Sequence, residues 1–158
     1  MNDFTRLREL AGRLGLVVLV HDFPAHAYEP PNIITIEKDR SRVLMRSNLA
    51  HEIAHWLVAP EKRRGVRDYG LGRGPNSAEP STRLVSLGCA QLEEEEASLL
   101  GAAIERHLLG PRKHIWTLLH HEWDLQPDPE DHTMATTYAR LTRKGLLRDG
   151  RPTCLARP

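Results

Sequence analysis

A chain of 158 residues with 40% apolar and 27% charged side chains has the length and composition of one compact, water-soluble domain. Lys and Arg number 22 against 21 Asp and Glu, a formal net charge of +1, so no overall field gathers nucleic acid or an anionic membrane. The two cysteines, Cys89 and Cys154, form neither a C-x-x-C pair nor a disulfide framework, which points to reduced thiols in a cytoplasmic protein.

In chain order, Asp3–Arg13 is predicted as a helix. Phe4, Leu7, Leu10, Ala11 and Leu14 recur at three and four, and Gly12 and Gly15 end the run. Leu16–Val20 reads as a buried strand. The longest early apolar run, Leu14–Val20, is broken by Gly15 and too short to span a bilayer, and no signal peptide or membrane anchor is expected. His21–Asn32 reads as a loop punctuated by Pro24, Pro30 and Pro31, and Asn32–Lys38 as a second strand. Val43–Val58 is predicted as a helix with Ser41 as its cap and Pro60 beyond its end. A long irregular stretch rich in Gly, Pro and charge, residues 59–82, follows, in which the basic run Glu61–Arg67 reads as solvated. Gln91–Leu109 is a strong helix; Pro111 opens another, to about Trp123; Asp128-Pro129-Glu130-Asp131 starts a last one, to about Lys144. The closing "GLLRDGRPT" reads as a turn or short hairpin. This order of elements is α+β.

The chemistry concentrates in "SNLAHEIAHWLVAP", where His51, Glu52 and His55 have the spacing H-E-x-x-H. Residues four apart share one helix face, so the two imidazoles can aim at a common point. Glu52 lies about 100° around the axis from His51, within reach of a metal-bound water but poorly placed to be a ligand itself. Leu49, Ile53, Trp56 and Leu57 form an apolar stripe on the opposite side. Nine histidines in the chain leave the plain alternative of two partly exposed helix histidines with no metal.

Zinc sites of this kind need a third protein ligand. Glu93 to Glu96 are the candidates. Glu95 and Glu96 read as a solvated acidic first turn that favours the helix dipole. Glu93 and Glu94 border the apolar stripe of Ala97, Leu100, Ile104 and Leu108 on opposite sides. Glu94 is preferred, because it continues along a line of small and polar residues, Ser98, Gly101 and Glu105, that lets a second helix or a metal come close; Glu93 is the alternative. Tyr69, His120 and His121 are further candidates for transition-state or substrate contacts, and the plainer reading of the two histidines is the polar end of a packed helix.

"NIITIEKDRSRVLMRSNLAHEIAHWLVAP", followed later by "EEEASLLGAAI", resembles the ImmA/IrrE family of zinc metallopeptidases. The resemblance covers about residues 3–111. It implies a zincin-like fold, a small two- to three-stranded sheet packed on the H-E-x-x-H helix, with a helical C-terminal half. One domain over 1–158 is expected, residues 1–111 as its family-like core and 112–158 as an extension. Carried over by residue, His51, His55 and Glu94 would hold Zn2+, and Glu52 would be the general base of a zinc-dependent endopeptidase. The implied partner is a protein substrate such as a helix-turn-helix transcriptional repressor, in phage or stress regulation. The alternative reading is a zinc-containing module that binds a partner without cutting it, antitoxin-like or phage regulatory.

Overall fold

A computed structural model describes residues 2–22, 27–38, 41–72, 83–110 and 132–156. Helix α1, Asp3–Arg13, starts where the Asn2 side chain accepts the Thr5 amide at 2.8 Å. Gly15, at φ 79°, turns the chain into strand β1, Val17–His21. Strands β2, Ala27–Glu29, and β3, Ile33–Glu37, complete a mixed sheet of order β1-β3-β2, with β1 parallel and β2 antiparallel to β3.

Two readings of this region change. Strand β2 lies in the stretch expected to be a loop. Three residues are too few to display an alternating pattern, and it is the pairing with β3 that makes them a strand. The run Leu16–Val20 is not uniformly buried: Leu16 and Val18 are, whereas Val17 and Leu19 are 47% and 48% exposed. Strand β1 is at the sheet's edge, and only its inward face meets the core.

Helix α2, Arg42–Val58, is capped by Ser41, whose Oγ accepts the Leu44 amide. Helix α3, Leu87–Leu109, is capped by Ser86 and begins four residues before the expected Gln91. Helix α4, His132–Arg143, precedes a hairpin of β4, Leu147–Arg148, and β5, Arg151–Pro152. Asp149 and Gly150 both have positive φ there, the backbone that a two-residue hairpin turn needs. The helix expected over 111–123 and the cap at Asp128 lie outside the described residues. The fold is α+β, with four helices and the three-stranded mixed sheet among the described residues. No helix among them is long and apolar enough to cross a membrane.

The core joins Leu7 and Leu10 of α1, Ile34 and Ile36 of β3, Leu49 and Ile53 of α2, and Leu100 and Ile104 of α3. Of the stripe expected behind the histidines, Leu49 and Ile53 are fully buried and Trp56 and Leu57 partly so. Helix α2 is buried on several sides because α3 covers the face that carries the histidines. A Cβ on Gly101 would lie 3.1 Å from both the Ala50 carbonyl oxygen and the His51 Cα. These are backbone atoms, so the two helices touch here without a side chain between them.

Polar contacts reinforce the helix packing. Arg46 of α2 reaches Glu105 of α3 and, at 3.3 Å, Asp3 of α1. Glu95 and Glu96 depart from the solvated reading. Glu96 is 2% exposed and pairs with Arg140 and Lys144; Glu95 pairs with Arg140 at 2.9 Å and accepts the Thr137 hydroxyl. Together they dock α4 against α3. An acidic helix turn looks the same in sequence whether its counter-ions come from solvent or from another helix.

Replacing Gly101 by Val should cost about 1–3 kcal/mol through overpacking, although valine has the better helix propensity. Thermal unfolding should register this as a fall in Tm of roughly 3–10 °C. Gly88→Ala, in the same helix with open space at its Cβ position, should not lower Tm.

Candidate metal centre

His51 and His55 project from one face of α2, one turn apart, and Glu94 faces them from α3. The two Nε2 atoms are 2.9 Å apart. Glu94 Oε2 lies 3.3 Å from Nε2 of His51 and 3.2 Å from Nε2 of His55. All three side chains are buried. One oxygen thus faces two ring nitrogens that also face each other, and a single proton cannot lie along all three edges of that triangle. A metal can. Donor atoms about 2.0–2.1 Å from a common ion stand about 2.9–3.4 Å from one another across the usual coordination angles. The three separations fall within that range, so the group His51, His55 and Glu94 could hold a metal ion.

The electrostatics fit the same picture. Burial pushes the Glu94 carboxyl up, but the charges and hydrogen bonds of His55 and His51 outweigh it and hold the group well below the usual carboxylate range. Burial pulls His55 down, but the charge and hydrogen bond of Glu94, with smaller help from Glu93 and Asp68, leave it raised. A carboxylate that stays ionised beside two imidazoles is a donor set suited to a cation. Nδ1 of His51 is buried and has no hydrogen-bond partner among the described residues.

The other sequence candidates fall in different places. Glu93 is outside this donor group and pairs with Arg63. Arg63 also donates to the Tyr69 carbonyl at 3.0 Å, and Arg64 stacks over the Trp56 ring at 4.4 Å. The basic run is therefore only partly solvated, and two of its arginines hold the chain against α2 and α3. Glu52 is buried on α2. Tyr69 is buried, with its ring centroid 5.8 Å from that of His55 at an interplanar angle of 24°. Burial, and after it the charge of Glu52, raises the phenol far above its ordinary value and keeps it protonated. His120 and His121 lie outside the described residues.

Residues 23–83, less than half of the chain, match the model of a protein family described as EpmC, elongation factor P hydroxylase. The matched stretch contains β2, β3, α2 with both histidines, and Tyr69, but not Glu94. No curated protein and no solved structure matches the chain.

This match overturns the resemblance to the ImmA/IrrE zinc metallopeptidases. The zinc-dependent endopeptidase acting on a repressor falls with it, and the non-proteolytic zinc module in phage or stress regulation fits no better. The physical reason is simple. H-E-x-x-H spacing places two imidazoles one helical turn apart, and that geometry serves a metal without specifying the reaction performed on it.

Two outcomes follow. His51→Ala and His55→Ala should each lower divalent-metal affinity by more than the roughly 10–100-fold that loss of a supporting residue costs, measured by metal content after dialysis. In the metal-free protein, the raised His55 contributes stability that is fully present below its unfolded value near 6.5 and is lost as pH rises through its higher folded value. The depressed Glu94 contributes above its unfolded value and loses that only in strong acid. The Tm difference between metal-free wild type and Glu94→Gln should therefore be a few degrees near pH 6 and shrink as pH rises above neutrality. With metal bound the trend reverses, because ligation needs neutral imidazoles.

Proposed function

We propose that the chain is a metal-dependent hydroxylase that holds ferrous iron with His51, His55 and Glu94. The observation that carries the reading is the triangle of Nε2, Nε2 and Oε2, with edges of 2.9, 3.2 and 3.3 Å. Two histidines and one carboxylate on one side of an ion, with further positions open, is the donor set of non-haem iron oxygenases. The likeness of residues 23–83 to the hydroxylase family supports the same reaction class, and both histidines lie within it.

A histidine helix packed on a sheet, with a carboxylate from a second helix, supports reading this α+β fold as zincin-like in outline. The same donors suit zinc. Zinc has no redox chemistry, however, and hydroxylation requires a metal that changes oxidation state. When bound, iron supplies the activation of dioxygen. The protein supplies the rest. Helix α2 presents its two imidazoles at a fixed separation, and α3 presents a carboxylate whose charge offsets part of the ion's. Glu52, on the same helix turn, gives a buried carboxylate that can take up or return a proton at Oε. The low exposure of all four side chains keeps bulk water from the reaction.

The substrate class proposed is a protein side chain, and the family description names elongation factor P. The test is direct. The chain is loaded with ferrous iron under anaerobic conditions and mixed with elongation factor P and a reductant; air is then admitted. Intact mass should increase by one oxygen atom, and not with the His51→Ala or Glu94→Ala variants. An iron-loaded wild type that adds no oxygen would reject the hydroxylase reading and leave the metal site standing.

A further inference from the structure

The turn after α2 is built at a cost. Asp68, Tyr69 and Gly70 have φ values of 46°, 54° and 70°, three left-handed residues in succession. Gly70 adopts this freely and Asp tolerates it, but a tyrosine does so only under constraint. Several contacts hold the strained turn in place. The Asp68 carboxylate accepts the Tyr28 amide at 2.9 Å, Arg63 donates to the Tyr69 carbonyl at 3.0 Å, and the Leu84 amide donates to the Gly70 carbonyl at 2.8 Å. Arg63 is itself anchored by Glu93.

What this backbone positions is the Tyr69 ring. It lies between Tyr28, at a centroid distance of 4.2 Å, and His55, at 5.8 Å, nearly parallel to both. The side chain is 1% exposed, yet its hydroxyl has no hydrogen-bond partner among the described residues. A buried hydroxyl in that condition is unfavourable, and a phenylalanine would stack equally well without it. The neighbouring Tyr28 provides the contrast. Its hydroxyl is satisfied by the carbonyl oxygens of Pro31, at 2.5 Å, and Arg64, at 2.6 Å. The fold satisfies one phenol of the stacked pair and leaves the other, beside His55, without a partner among the described residues.

We propose that the Tyr69 hydroxyl donates a hydrogen bond to the acceptor atom of a small anion or oxygen ligand bound at the open side of the His51–His55–Glu94 group, and that the left-handed turn holds it there. Tyr69 is then a residue of the binding and reacting site, supplied from outside the two helices that carry the donors. The donor is prearranged before the ligand arrives, which is where such bonds act most strongly. The inference rests on the metal-holding part of the proposed function and does not depend on hydroxylation.

The test uses cobalt(II)-loaded protein and azide, an anion that can occupy an open metal position and accept a hydrogen bond. Azide is titrated into wild type and Tyr69→Phe by visible absorption, with cobalt uptake and Tm measured for both. The expected result is equal cobalt uptake, a Tm that is unchanged or higher, and azide affinity about tenfold weaker in the variant. Equal azide affinity in the two proteins would overturn the proposal, as would a wild type that takes up cobalt but binds no azide. A Tyr69→Phe protein that loses cobalt or unfolds at a much lower temperature would assign the residue to structure and overturn the proposal as well. A wild type that takes up no cobalt overturns the metal reading itself, and this proposal with it.

Discussion

The contact on which the structure turns is the approach of α3 to α2 at Gly101. With no side chain at that position, the backbone of α3 lies against the Ala50 carbonyl and the His51 Cα. Glu94 is seven residues, about two helical turns, before Gly101, and so faces the same side of α3. A carboxylate on a short side chain reaches across a helix interface only when the axes are close. The small-residue line along α3 is therefore what converts two histidines of one helix into a three-donor group shared by two.

The second constraint is charge. Burying a carboxylate is expensive unless it is paired, and α3 buries several. Successive residues on a helix point about 100° apart, so the four consecutive glutamates must find partners in different directions. Glu93 finds Arg63 in the segment after α2, Glu95 finds Arg140, Glu96 finds Arg140 and Lys144 of α4, and Glu105 finds Arg46. Each of these partners is an arginine or a lysine. Glu94 alone in this set faces imidazoles, whose charge can be given up. That difference separates a structural ion pair from a place where a cation can replace a proton. It also places Arg63 at the join between the two systems, since it pairs with Glu93 while holding the turn that carries Tyr69.

Much of this was readable before any coordinates. The helical periods of α1, α2 and α3 were visible because each has apolar residues recurring on one face. The preference for Glu94 over Glu93 came from the line Ser98, Gly101, Glu105, and the geometry places Glu94, not Glu93, against the two histidines. Other features left no local trace. The strand at Ala27–Glu29 exists through its partner β3, and the buried state of Glu96 exists through α4. The left-handed backbone at Tyr69 has no sequence signature, because tyrosine does not favour it. The reaction class is not legible in the sequence: the resemblance that implies a peptidase is carried in large part by a spacing that only fixes the positions of two imidazoles, and the family match points to a hydroxylase instead.

The sequence by itself determined the elements and the pair of donors four residues apart, because both follow from the 3.6-residue period acting within one segment. It also determined which helix face could be approached closely, through the absence of bulk at Gly101. Tertiary structure alone decided how near the Glu94 carboxylate comes to the two imidazoles, which glutamates pair with arginine or lysine, and which phenol beside His55 has no hydrogen-bond partner among the described residues. Those outcomes depend on distances between residues 14 to 48 apart in the chain, which a single helical period does not fix.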